Sequence, residues 1–155
     1  RARKELFTLN LGGTAIGTTI NASDYYLHHI VPTLAAVTGY PLMQADDLFD
    51  ATENLDGFVT ISNTLKTCAV NLSKMCNDLR LLASGPRCGL AEFNLPARQP
   101  GSSIMPGKVN PVIPEVMNQI AYKVIGNDLT VTMAAEAGQL ELNAFEPIIF
   151  YNLIH

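Results

Sequence analysis

Phe58-Val59-Thr60-Ile61-Ser62-Asn63-Thr64-Leu65-Lys66-Thr67-Cys68-Ala69-Val70-Asn71-Leu72-Ser73-Lys74-Met75-Cys76-Asn77-Asp78-Leu79-Arg80-Leu81-Leu82 decides the fold class. Phe58, Ile61, Leu65, Cys68, Leu72, Met75, Leu79 and Leu82 recur at alternating spacings of three and four. That is the heptad stripe of a long helix. A second stripe, Leu65, Ala69, Leu72, Cys76, Leu79 and Ala83, overlaps the first. The apolar face is therefore broad, as in a helix packed by several neighbours.

Working outward, Asp46, Asp47, Asp50, Glu53 and Asp56 precede the stripe. Carboxylates there favour the positive end of a helix, or form a solvated acidic face. Gly85-Pro86 stops the helix. Six of the nine prolines then fall between Pro86 and Pro114, so no long helix crosses residues 84–111. Leu90, Phe93, Leu95, Ile104 and Met105 are too apolar for a plain linker, which makes this a long ordered loop. Helix resumes at about Ile113, with Pro114 and Glu115 in its first turn. Met117, Ile120, Val124, Val131 and Ala135 give its stripe, which Asp128 breaks. A last helical pattern carries Leu142, Phe145, Ile149 and Leu153, with Pro147 as a kink.

Before the long stripe, residues 9–22 read as a loop, or a helix broken by Gly12, Gly13 and Gly17. Ser23 or Asp24 caps a helix running to about Thr38, which Gly39 stops and Pro32 kinks. There is no hairpin signal and no βαβ alternation. The expected fold is all-α, a long-helix bundle with one large Gly/Pro-rich loop.

Composition narrows the function. Charged residues are 15% and hydrophobic residues 48% of the 155, which excludes a disordered chain. No stretch approaches the roughly 18 apolar residues of a membrane span. A net charge of −4 with scattered Lys and Arg argues against nucleic acid as partner. Cys68, Cys76 and Cys88 are odd in number and form no CxxC pair, so neither a disulfide framework nor a zinc site is expected, and a reducing cytoplasm fits. No cofactor and no bound metal are expected.

The chemistry concentrates in Gly101-Ser102-Ser103-Ile104-Met105-Pro106-Gly107-Lys108-Val109-Asn110-Pro111. Two hydroxyls, two glycines, a cation and an amide make an anion-binding set. A phosphate-binding P-loop is excluded: five residues separate Gly101 from Gly107, and Val109 follows Lys108. There is no GxSxG elbow for a hydrolase, and His28 and His29 read as surface or packing residues on an early helix. From the residues alone this is either a structural turn or a loop that binds a carboxylate or phosphate.

The segment resembles the signature loop of the aspartase/fumarase superfamily. The likeness extends to Asn77–Leu82, Ser84–Leu90 and Gly12–Thr18, and so spans essentially the whole chain. Asn110-Pro111-Val112-Ile113-Pro114-Glu115-Val116-Met117-Asn118-Gln119 and Ala134–Asn143 are similar to the aspartase branch rather than the fumarase branch. The resemblance implies a homotetrameric lyase with L-aspartate and fumarate as substrate and product. It implies Ser102 as the catalytic base, with Ser103, Lys108 and Asn110 binding the substrate. Gly101 and Gly107 would allow backbone approach and loop closure. Glu115 would orient a His of the family that this chain lacks, or act only as a helix-start carboxylate. Thr14 and Thr18 read as structural. A class II fumarase or a non-catalytic helical assembly module are the alternatives.

The chain opens Arg1-Ala2-Arg3-Lys4 and closes inside an apolar pattern, so both ends read as cut. The resemblance implies a partial central helical domain over 1–155, with an N-terminal part and a C-terminal small domain absent. Family active sites draw on three conserved regions, of which this chain holds the third. The isolated 155 residues are therefore expected to show no lyase turnover, and a fumarate-release assay on the purified chain tests this.

Overall fold

Ser23 starts the first substantial helix as its sequence promises. In the computed structural model, which describes residues 2–155, its hydroxyl accepts a hydrogen bond from the Tyr26 amide at 3.2 Å. The elements in chain order are α1 (Ala2–Glu5), β1 (Thr8–Leu9), α2 (Asp24–Thr38), β2 (Met43–Gln44), α3 (Asp50–Glu53), α4 (Asp56–Leu82), α5 (Val112–Glu136) and α6 (Glu146–Ile154). The fold is mostly helical, as expected. Gly39 ends α2 and Pro32 lies inside it. No helix among the described residues is long and apolar enough to cross a membrane.

One feature departs from the all-α expectation. β1 and β2 pair in parallel, Thr8 with Met43 and Leu9 with Gln44, with α2 between them in sequence. The ladder is two residues long, too short for any periodicity to announce it.

The chain forms two units, residues 1–64 with 127–155, and residues 65–126. The boundary runs through both long helices. In the first unit Leu55, Val131, Ala134 and Ile149 are buried, with Phe58, Val59, Ala135 and Leu153 packed on them. Phe58 and Phe150 meet edge to face at 5.2 Å between ring centroids. Asp128, which interrupts the expected stripe, is itself buried and accepts a hydrogen bond from the Ser62 hydroxyl at 2.8 Å. A polar residue on a buried helix face is tolerated because it has this partner.

In the second unit Ala69, Ser73 and Cys76 of α4 and Asn118 and Ala121 of α5 are buried, and Asn118 hydrogen-bonds to Ser73. Ala69 and Cys76 belong to the second of the two α4 stripes, and Ser73 to neither. The first leaves Cys68 and Met75 exposed, and Leu65, common to both stripes, is exposed as well. On α5 the buried positions in this unit are Pro114, Asn118 and Ala121, the last two shifted by one residue from the expected Met117 and Ile120; Ile120 is half exposed, as are Val116 and Tyr122. Residue size gives the reason: small residues allow close helix approach, and the larger apolar ones face outward.

The C-terminal pattern is corrected in detail. α6 begins at Glu146, and Pro147 sits in its first turn instead of kinking it. The first turn needs no intrahelical N–H, so proline is at home there. Leu142 lies in a tight bridge with Gln139, and Phe145 precedes the helix. Buried Asn143 makes this possible. Its amide donates to the Ala134 and Ala135 carbonyls at 2.9 and 3.1 Å, and its oxygen accepts from the Phe145 amide at 2.8 Å. It thereby satisfies the last carbonyls of α5 and the entry to α6 with one side chain.

Ile149→Ala should cost about 2–5 kcal/mol, because Ile149 has no exposed surface. Pro147→Ala should change stability by less than about 1 kcal/mol. Urea unfolding of the two variants beside the unsubstituted protein checks the contrast.

Candidate functional site

The loop from 84 to 111 belongs to the second unit and springs from the end of α4. Helix α4 stops at Leu82, three residues before Gly85. Ser84 then folds the chain back. Its hydroxyl accepts from the Leu90 amide at 3.2 Å, and its carbonyl from the Ala91 amide at 2.7 Å. The Glu92 amide donates to the Leu82 carbonyl at 2.9 Å, closing the turn on the helix end. Hydrogen bonds of its main chain and of Ser84 shape the loop, whereas Leu90, Phe93, Ile104 and Met105, on which the expectation of an ordered loop rests, are exposed.

The motif itself is a second, tighter turn. The Ser102 amide donates to the Lys108 carbonyl at 3.2 Å, and the Lys108 amide to the Met105 carbonyl at 3.1 Å. Inside this ring the Ser102 hydroxyl oxygen accepts two hydrogen bonds, from the Ile104 and Met105 amides, each 3.2 Å. Two N–H dipoles therefore converge on one side-chain oxygen. They favour negative charge on that oxygen, and would do so more strongly if its proton left.

Gly101 and Gly107 have φ of +93° and +81°, where side chains with a Cβ are strained. Their surroundings differ. A Cβ on Gly101 would lie 3.1 Å from the Lys108 carbonyl oxygen, whereas one on Gly107 would meet nothing within 4 Å. Gly101 is thus held by both space and torsion, and Gly107 by torsion alone.

The remaining residues divide. Ser103 and Lys108 are exposed, and Asn110 is half-buried. Asn110 closes the loop through its carbonyl, which accepts from the Val112 amide at 2.9 Å. Glu115 lies in the first turn of α5, half-buried, with its amide bonded to the Pro111 carbonyl at 3.2 Å. Ser102 and Lys108 are brought together through the main chain. Ser103 takes no part in that ring.

Two concave regions lie elsewhere. In the first unit an open cleft of about 490 Å³ is lined by Asp50, Asn54, Asp56, Thr60, Thr132 and Glu136, among others. Three carboxylates around it disfavour an anionic ligand. In the second unit a shallow depression of about 470 Å³ is formed by Ser84–Gly89. No group of three or more His, Cys, Asp or Glu among the described residues is placed to hold a metal ion.

The sequence reading missed Asn118. It is 2% exposed, and its side chain spans α4 and α5. Its amide donates to the Ser73 carbonyl at 3.0 Å and the Ser73 hydroxyl at 2.8 Å, and its oxygen lies 3.4 Å from a donating Arg80 Nη1. The signal in the sequence is weak, because Gln119 follows Asn118 directly and Lys123, Asn127 and Asp128 also interrupt the apolar residues of α5.

With this geometry in view, comparison with known proteins is informative. The sequence profile of a family described as lyases matches residues 1–126. The chain belongs to that lyase family. An aspartate ammonia-lyase from Bacillus subtilis (strain 168) is 57% identical over 154 residues, 99% of this chain and 32% of its own length. One from Pseudomonas fluorescens is 63% identical over 150 residues, 96% of this chain and 31% of its own. The chain spans about a third of the length of the curated relatives it matches.

Solved structures agree with the lyase assignment. A cobalt-bound structure of "fumarate lyase:delta crystallin" from Brucella melitensis superposes with a TM-score of 0.94 at 59% identity, covering 99% of this chain and 33% of that one. A class II fumarase from Schistosoma mansoni gives 0.93 at 38%, covering 99% and 36%. The fold is that of the aspartase/fumarase superfamily. Identity is higher to the aspartate ammonia-lyases than to this fumarase, in line with the reading of residues 110–119.

Gly101→Ala should disturb the Ser102 turn more than Gly107→Ala. Amide hydrogen exchange at Ser102, Ile104 and Met105 checks this, with about tenfold or faster exchange expected in the Gly101 variant and a smaller change in the other.

Proposed function

We propose that the 155 residues are the central helical part of a longer aspartate ammonia-lyase, which converts L-aspartate reversibly to fumarate and ammonia. The single observation that carries the mechanism is the pair of amides, Ile104 and Met105, that converge on the Ser102 oxygen. A free serine hydroxyl is far too weak a base to take a proton from carbon. Two fixed N–H donors stabilise its alkoxide form and so raise the fraction able to act.

In this reading Ser102 removes the proton from the carbon next to the β-carboxylate. The electron pair of that C–H bond moves first into the carboxylate, giving an aci-carboxylate. It then forms the new C=C bond as the C–N bond breaks, and the nitrogen leaves with the electron pair of that bond. Lys108 and Asn110 hold a substrate carboxylate, and Ser103 adds a donor. Gly101 and Gly107 set the turn, and Glu115 supports the loop from the first turn of α5. The doubled negative charge of the intermediate makes a preorganised cation and amide more valuable than in the ground state.

The exposed apolar residues of the second unit, among them Leu65, Met75, Val116, Ile120 and Tyr122, support a homotetramer in which other copies cover them. The 155 residues alone are expected to be inactive in this reading, since they contribute only one of the regions an active site needs. A soluble, cytoplasmic enzyme without a cofactor completes the proposal.

The test follows fumarate by ultraviolet absorbance in the polypeptide of the relatives' full length, with L-aspartate and L-malate side by side. Turnover of aspartate is expected, and Ser102→Ala should lower kcat by about 10³-fold. Lys108→Met should raise KM. Turnover of malate alone would make the protein a fumarase. Turnover of neither, with a folded oligomer, would leave a non-catalytic assembly module.

A further inference from the structure

Ser102 works only if its hydroxyl stays seated between the Ile104 and Met105 amides, and something must hold the loop that carries all three. Loop 84–111 has two stems, the last turns of α4 and the first turns of α5. One buried side chain joins those stems. Asn118 lies six residues into α5 from Val112, about 9 Å along the helix axis. It bonds to Ser73 through both main-chain carbonyl and hydroxyl, and to Arg80, two residues before α4 ends. The cluster has no unsatisfied member among the described residues.

Its chemistry makes it specific. Apolar contacts between helices are nearly indifferent to a small slide along the axis, and the buried apolar residues of α4 and α5 in this unit are small, Ala69, Cys76 and Ala121. A hydrogen bond is not indifferent, because it weakens steeply with distance and angle. An amide engaged at one end by two oxygens and at the other by a guanidinium permits one axial setting of α5 on α4. Sliding α5 would strand a buried donor or acceptor.

We propose that Asn118 is a positioning residue for the catalytic loop: it locks the register of the two stems, and through them the seat of the Ser102 oxygen between its two amides. This rests on the reading of Ser102 as the base. Asn118 itself touches no reacting atom. It acts through the start of α5, where the Val112 amide binds the Asn110 carbonyl and the Glu115 amide binds the Pro111 carbonyl.

Donors on the Ser102 oxygen favour its ionised form, so loosening them makes the base harder to generate. The rising limb of kcat against pH should move to higher pH.

The experiment uses Asn118→Leu, similar in volume but unable to hydrogen bond, and Ser73→Ala, which removes one partner and should fold even if the first variant does not. Both are made in the full-length polypeptide. Two readouts are taken on each: amide exchange at Ile104 and Met105, and the pH dependence of kcat on L-aspartate. Faster exchange at both amides, a fall in kcat of about ten- to a hundredfold and an alkaline shift of the rising limb are expected for Asn118→Leu, with smaller changes of the same kind in Ser73→Ala. A lower melting temperature with unchanged exchange and an unmoved pH profile in whichever variant folds would overturn the proposal, since Asn118 would then be only structural. Failure of the underlying reading looks different. If Ser102 is not the base, Ser102→Ala keeps its turnover, while the exchange arm still reports whether Asn118 positions the loop.

Discussion

A buried hydrogen-bonding group must find a partner, and in this chain that demand fixes where the long helices meet. Ser62 answers Asp128 in one unit, and Ser73 answers Asn118 in the other. Each pair takes one residue from α4 and one from α5, so within each unit a polar contact joins the two helices. The buried apolar residues of the same two helices include the small Ala69, Cys76, Ala121 and Ala134, whose size suits the short reach of such polar side chains. Everything that follows α4, including the loop that bears the motif, starts from that alignment.

Much of the architecture was legible in the sequence because it depends on local rules. Ser23 and Gly39 mark α2 correctly, since capping and termination are decided within one turn. The extent of α4 follows from periodicity. The side of α4 that is buried does not, because both stripes are apolar and only the partner helix chooses between them. Asp128 reads as an interruption and Asn118 passes unnoticed for the same reason: a polar residue on a buried line makes sense only once its partner, 66 or 45 residues away, is known. The β1–β2 ladder is non-local and too brief to leave a pattern. Pro147 was placed as a kink because the turn that Asn143 ties off before it is invisible to periodicity.

The site divides along similar lines. The motif names its residues and its glycines, and the structure gives those glycines left-handed torsions. What the sequence does not contain is the use made of the main chain. The amides of Ile104 and Met105, whose side chains look like mere spacers, are the groups that approach Ser102. Backbone donors carry no residue identity, so a site built from them is read poorly from residue types.

The turn around Ser102 has an evolutionary consequence. Its hydroxyl is a structural acceptor as well as the proposed chemical group, so selection for loop shape alone would retain it. Lys108 differs, because the turn uses only its amide and carbonyl, and other side chains could serve there. In a lineage that gave up its chemistry, the serine would outlast the lysine. Among descendants of such a protein, the identity of residue 108 is then the better record of whether the ancestral reaction is still under selection.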